Sequence, residues 1–114
     1  MILRSYKKPR PHPKVDEPYK SWIRLLPCVV CFTWRFRIAG YSGMVECAHV
    51  GERGLGQKCH DRQTLPLCVF HHRTGPHSAH AIGKRFWGYW KLDRFELIAD
   101  HNRRYEREHH ENAA

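Results

Sequence analysis

The fold of this chain depends most on two short stretches, Pro27-Cys28-Val29-Val30-Cys31 and Cys68-Val69-Phe70-His71. In each stretch two residues separate a pair of side chains that bind zinc well. This spacing lets a tight turn, or the first turn of a helix, direct both side chains at one tetrahedral ion. The sequence therefore predicts a structural Zn2+ site formed by Cys28, Cys31, Cys68 and His71. The first pair would form a zinc knuckle, and the second would begin a helix.

The size of the chain agrees with a fold held together by a metal. Its 114 residues allow one domain of ordinary size. About 95 ordered residues bury only a modest core, whereas a structural zinc contributes roughly 10 to 16 kcal/mol of apparent binding free energy. Five cysteines, an odd number, argue against a disulfide framework, and ten histidines favour metal binding. The alternative is that these cysteines are small core side chains.

The chain divides into an arm, a domain and a tail. Residues 1–18 interleave basic side chains with prolines, which predicts a flexible basic arm that suits a phosphate backbone or is simply a frayed terminus. Residues 19–108 carry periodic apolar patterns and are expected to form the domain. Residues 109–114 are expected to be a disordered tail.

Apolar periodicity predicts the elements of the domain. Residues 19–26 have helical spacing and end at Pro27, and residues 33–38 and 44–50 are predicted to form a hairpin. Residues 65–67 are expected to be extended and to lead into a helical turn or two over 68–73. Helices are predicted at 82–90 and 93–108, the latter with a buried stripe made of Phe95, Leu97, Ile98 and Tyr105. A knuckle, a hairpin and then a helix form the treble-clef arrangement, so we expect a small zinc-stabilised α+β fold with flanking helices.

The charge of the chain indicates a polyanionic partner. Twenty Lys and Arg against eleven Asp and Glu give a formal charge of +9, although small proteins are also basic for solubility alone. No apolar run has the length of a membrane span. The first residues lack a signal-peptide pattern, so we expect a cytoplasmic protein.

Two adjacent histidines raise the question of a second site. At about 100° per helical residue, His71 and His72 lie on either side of Cys68, so either could face the zinc but not both. We assign His71 to the zinc and His72 to a second site, for which His49, His60, Asp61, His77 and His80 are further candidates. A phosphodiesterase can use a neutral imidazole to take a proton from water and a divalent cation, held by other imidazoles, to stabilise the phosphate. His101 is expected to be a solvated surface residue.

The order of these motifs resembles the HNH endonucleases of phages and prophages, and among them the phage recombination-enhancement nucleases. The resemblance covers roughly residues 19–105. The residues that carry it are Tyr19 to Cys31, Ala48-His49-Val50, Lys58 with Asp61, Leu65-Pro66-Leu67-Cys68, His71-His72 and His80-Ala81 with Gly83.

The resemblance implies a ββα-metal core with a role for each histidine. His49 would be the general base, and His72 would bind a catalytic Mg2+ or another divalent cation. His80 would complete that site, with His77 in reserve. Two positions depart from the family pattern. Ala48 stands where many members have a metal ligand, and Gln63 stands where they have the asparagine that gives the family its name.

Either Gln63 or Asp61 could orient His49 by accepting a hydrogen bond. The expected function is therefore a metal-dependent endonuclease that hydrolyses phosphodiester bonds in single- or double-stranded DNA. It would be associated with phage or prophage recombination, and a recombination protein is a possible partner. The alternative is a zinc-stabilised nucleic-acid-binding module whose nuclease site has decayed, as Ala48 and Gln63 permit.

Overall fold

The computed structural model describes residues 14–34, 44–51 and 60–113, with side chains of the last segment described up to residue 109. In chain order the elements are α1 (Glu17–Ile23), α2 (Val29–Trp34), β1 (Val45–His49), a 3-10 turn (Asp61–Gln63), β2 (Thr64–Cys68), a π-helical turn (Phe70–Thr74), α3 (Ala79–Ile82), α4 (Arg85–Trp90) and α5 (Arg94–Ala113). The mixture of helices with a small sheet confirms the predicted α+β class.

Helix α1 begins at a capped terminus and ends earlier than the sequence predicts. The Asp16 carboxylate accepts a hydrogen bond from the Tyr19 backbone N–H at 3.2 Å, which satisfies one of the donors that a helix start leaves open. The helix ends at Ile23, and the Leu25 and Leu26 amides form tighter turn bonds to Trp22 and Ile23. A residue that precedes proline is driven out of helical geometry, which explains why the turn tightens before Pro27.

The two strands of the described residues pair with each other, a pairing that the sequence did not predict. Strand β1 lies within the predicted 44–50 segment, but it pairs antiparallel with β2, so that Ala48 faces Leu65 and His49 faces Thr64. The predicted strand 33–38 is wrong at its start, because Thr33 and Trp34 belong to α2. Its remaining residues lie outside the described part of the chain.

The core lies between this sheet and the helices that cover it. Strand β2 is buried along its whole length and contacts α1, α2 and α5. Leu65 and Leu67 of β2 are fully buried, as are Val30 of α2 and Phe86 of α4 in the same core. Burial of four such side chains stabilises the fold by several kcal/mol, at about 1.5 to 3 kcal/mol for each.

The C-terminal helices differ from the prediction in three ways. The single helix expected over 82–90 is divided at Gly83, whose φ of 59° is readily adopted only by glycine. Helix α5 extends through residues 109–113, beyond its expected end at Glu108. Phe95 is 48% exposed, whereas His101 is only 6% exposed, so the buried stripe runs through Ile98 and His101 rather than through Phe95.

Among the described residues, no helix combines the length and the apolar character that crossing a membrane requires.

Candidate functional site

Four side chains from the two predicted stretches converge on one point. The ligand atoms of Cys28, Cys31, Cys68 and His71 all lie within 4.8 Å of one another. The Cys31 and Cys68 sulfurs are 3.8 Å apart, and the His71 Nδ1 lies 3.5 Å from the Cys31 sulfur and 3.2 Å from the Cys68 sulfur. Tetrahedral Zn2+ with ordinary bond lengths separates two sulfurs by about 3.8 Å and a sulfur from a nitrogen by about 3.5 Å. The group therefore has the size and donor set of a structural zinc site.

The electrostatics of the cluster also favour a bound cation. Burial and the neighbouring Cys68 sulfur raise the pKa of the Cys31 thiol to about 11, and the Cys68 hydrogen bond with burial raises the pKa of Cys28 as well. These two thiols therefore resist ionisation, and a divalent cation reverses this by coordinating the thiolates. The His71 backbone N–H also points to the Cys68 sulfur, at 3.4 Å.

The cluster joins elements that are far apart in sequence. Cys28 lies just before α2 and Cys31 lies within it, whereas Cys68 ends β2 and His71 belongs to the π-helical turn. The Trp90 ring of α4 packs edge-on against the His71 ring, with centroids 5.1 Å apart. A metal at this point would fix α2, β2 and the π-helical turn to one another.

The π-helical turn sends the adjacent histidines into different environments. Gly75 N–H bonds to the Phe70 carbonyl at 2.8 Å, which is the i to i+5 pattern of a π-helix. His71 is 1% exposed and faces the cysteines. His72 is half-buried, and its ring lies 4.8 Å from the His80 ring between centroids.

Glu46 holds the His72 ring in a defined tautomer. Its Oε1 lies 2.7 Å from the His72 Nδ1, and because an ionised carboxylate only accepts, Nδ1 must carry the proton. Arg73 donates to both carboxylate oxygens, at 3.0 and 2.6 Å, and so fixes the carboxylate in turn. The arrangement leaves Nε2 as the atom of the His72 ring that could bind a metal ion.

The ionisation states of this pair agree with a metal-binding role. Burial lowers the pKa of His72 and outweighs the opposing effect of the Glu46 hydrogen bond. For Glu46, burial alone would raise the pKa, but the hydrogen bonds from Arg73 and His72 lower it below its usual value. A neutral imidazole beside an ionised carboxylate is the form that binds a divalent cation.

A second carboxylate orients the strand histidine. The His49 Nε2 lies 2.8 Å from the Asp61 Oδ1 and donates to it, which leaves the Nδ1 lone pair to accept a proton. Asp61 is 5% exposed and its Oδ2 accepts from the Asp16 backbone N–H at 2.7 Å, while Lys20 lies at 3.6 Å. Although burial raises its pKa, the bonds from His49 and Asp16 lower the Asp61 pKa below the ordinary value.

One cavity brings the predicted second-site residues together. It has a volume of about 710 Å³, and His49, His72 and His80 line it together with Lys84 and Arg94. We call it the histidine cavity. It thus combines three imidazoles with two cationic side chains, which attract a phosphate.

The remaining predicted residues lie at its edge or elsewhere. Ala48 lines the cavity and is 2% exposed. The Gln63 side chain packs against Gly51, where an added Cβ would lie 2.6 Å from it. His77 stacks on Tyr89, with ring centroids 4.4 Å apart, and is not part of the cavity wall described above.

Glu46 is a residue of the candidate site that the sequence interpretation missed. The available signal was the single acidic residue in the strand segment Met44 to Val50. Its partners His72 and Arg73 are 26 and 27 residues away in the chain, so no local spacing indicates the contact.

Comparisons with known proteins give no match, since no family model, no curated protein and no solved structure matches the chain.

Proposed function

We propose that this protein is a metal-dependent nuclease of the HNH type that hydrolyses phosphodiester bonds in DNA. The observation that carries the proposal is the histidine cavity, in which His49, His72 and His80 share one space with Lys84 and Arg94. Antiparallel β1 and β2 followed by a helical turn support a ββα-metal core. The net charge of +9 supports a polyanionic substrate.

In this mechanism His49 acts as the general base. Its Nδ1 takes a proton from the attacking water, and the Asp61 carboxylate stabilises the imidazolium that forms. His72 and His80 would hold a divalent cation, which supplies Lewis-acid stabilisation of the departing 3′ oxygen when bound. Lys84 and Arg94 neutralise phosphate charge at the cavity wall. The zinc on the three cysteines and His71 is structural and takes no part in the reaction.

A nicking assay on supercoiled plasmid with Mg2+ or Mn2+ tests the proposal. The wild type should nick, whereas His49→Ala should keep its zinc content, melting temperature and DNA affinity but not nick. His109→Ala is the matched control, because His109 is an exposed histidine on α5. Nicking by His49→Ala at the wild-type rate would refute the assignment of the base.

The second candidate function is a zinc-stabilised DNA-binding module without turnover. One observation favours it: among the described residues, the Cys3His cluster is the only group of three or more ligands placed for a metal ion. The two functions differ in metal stoichiometry. If the protein is a nuclease, the wild type binds a second divalent ion and His72→Ala does not. If it is a binding module, the wild type and His72→Ala each bind one zinc per chain.

A further inference from the structure

A second cavity lies beside the histidine cavity and shares two wall residues with it. Its volume is about 570 Å³, and the shared residues are His49 and His72. We call it the arginine cavity, because Arg24 and Arg73 line it together with Lys20. His49 and His72 therefore lie between the two cavities rather than at the closed end of one.

Both cavities carry positive charge on their walls. Lys84 and Arg94 line the histidine cavity, and three basic residues line the arginine cavity. Glu46 also lines the arginine cavity, but Arg73 donates to both of its carboxylate oxygens and offsets its charge. A cationic wall on each side of a central point suits a chain of phosphates that passes through both cavities.

Arg24 is the cation in the arginine cavity that is available to a ligand. Lys20 is engaged by Glu17 at 3.0 Å and by Asp61 at 3.6 Å, and Arg73 is engaged by Glu46. Arg24 is exposed and forms no ion pair with any residue that the structure describes. In the histidine cavity, Lys84 is likewise exposed and forms no ion pair with any described residue.

We propose that Arg24 binds a backbone phosphate of the substrate strand on one side of the cleaved linkage, and that Lys84 binds a phosphate on the other side. The inference rests on the proposed function, which puts the cleaved linkage at His49 and His72. It adds the residues that position the strand, with one phosphate contact on each side of the linkage.

The salt dependence of DNA binding tests the two contacts without requiring cleavage. Binding of a DNA oligonucleotide is measured by fluorescence anisotropy without added Mg2+ or Mn2+. Loss of one phosphate contact lowers the slope of log affinity against log salt by about 0.7 to 0.9. Arg24→Gln and Lys84→Gln should each show this loss, and Arg24→Lys should restore the slope. Arg103→Gln, an exposed and paired residue on α5, removes the same charge and should not change the slope.

A single neutral methylphosphonate linkage then tests the two sides. Cleavage is mapped on an end-labelled strand that carries one such linkage. For the wild type, cleavage should be reduced at neighbouring linkages on both sides of the neutral position. For Arg24→Gln the reduction should persist on one side only, and for Lys84→Gln only on the opposite side.

The outcomes separate this inference from the proposed function. If the wild type cleaves DNA but Arg24→Gln retains both the wild-type salt slope and the two-sided pattern, the arginine cavity is not a phosphate site and the inference is overturned. If the wild type does not cleave DNA under any divalent cation, the proposed function is overturned. In that case a slope change in Arg24→Gln would still establish the phosphate contact.

Discussion

His49 Nε2 and Asp61 Oδ1 form a hydrogen bond of 2.8 Å that joins the strand β1 to the 3-10 turn before β2. The carboxylate is 5% exposed, so its charge acts on the imidazole with little screening by water. The Asp16 and Lys20 contacts hold the carboxylate from the other side. The ring of His49 is therefore fixed in one orientation and one tautomer before a substrate binds.

Replacement of this carboxylate should reduce catalysis more than binding. In Asp61→Asn we expect kcat to fall at least about tenfold with little change in KM, since general base catalysis contributes about 10² to 10⁴. An unchanged kcat in a folded Asp61→Asn protein would contradict this role.

Removal of a zinc ligand should abolish folding. Structural zinc contributes about 10 to 16 kcal/mol, which equals or exceeds the 5 to 15 kcal/mol stability of a typical domain. We expect Cys28→Ser, Cys68→Ser or strong chelation to remove the cooperative melting transition. Cys47→Ser is the matched control, because the Cys47 thiol lies outside the cluster and donates to the Lys20 carbonyl at 3.2 Å, as a serine hydroxyl also can. Melting of the chelated protein at the temperature of the untreated one would exclude a structural metal.

Glu46 should control the affinity of the second metal. Glu46→Ala removes the acceptor that sets the His72 tautomer, and loss of such a partner weakens metal binding by about 10 to 100-fold. Glu46→Gln keeps an acceptor without the charge and should have a smaller effect. The measurement is the Mn2+ concentration that half-activates nicking. Glu96→Ala, an exposed change on α5, should leave it unaltered. Equal Mn2+ requirements in wild type and Glu46→Ala would exclude this role.

Buried His101 should make the fold less stable in mild acid. Burial lowers its pKa below the ordinary value near 6.5, so below that pH the unfolded chain binds more protons than the folded one. The free energy of unfolding should therefore fall as the pH falls through about 6.5, by up to about 1.4 kcal/mol per pH unit.

Two matched variants isolate this contribution. The Nδ1 atoms of His101 and His109 each bond to the carbonyl four residues earlier, at 2.8 Å, but His101 is buried and His109 is exposed. Denaturant unfolding at pH 5 and pH 7 should show a smaller pH dependence in His101→Gln than in His109→Gln. The same pH dependence in both variants would show that His101 does not contribute.

The sequence predicts those parts of the site that depend on local spacing. The two pairs of metal ligands are each separated by two residues, and the structure confirms that all four could hold one ion. The strand at 45–49 follows from its apolar segment. The partner of that strand could not be predicted in the same way, because β2 begins only at Thr64 and no periodicity encodes the pairing of the two strands.

The failures of prediction have physical causes as well. Thr33 and Trp34 alternate in polarity like a strand, but the helix that begins at the knuckle, with the Phe32 N–H bonded to the Cys28 carbonyl at 2.8 Å, continues through them. Gly83 divides the predicted helix at 82–90, since it takes a left-handed φ of 59°. His101 is buried because it shares the face of α5 that carries Ile98.

The π-helical turn makes the length of the chain between Cys68 and His72 critical. His71 faces the three cysteines and His72 lines the histidine cavity. A deletion or insertion of one residue in this segment would therefore change which histidine faces which site. The His72 imidazole would then face the cysteines in place of the His71 imidazole. A substitution of either histidine would affect one candidate site, whereas a change in the length of the segment would displace the ligands of both at once.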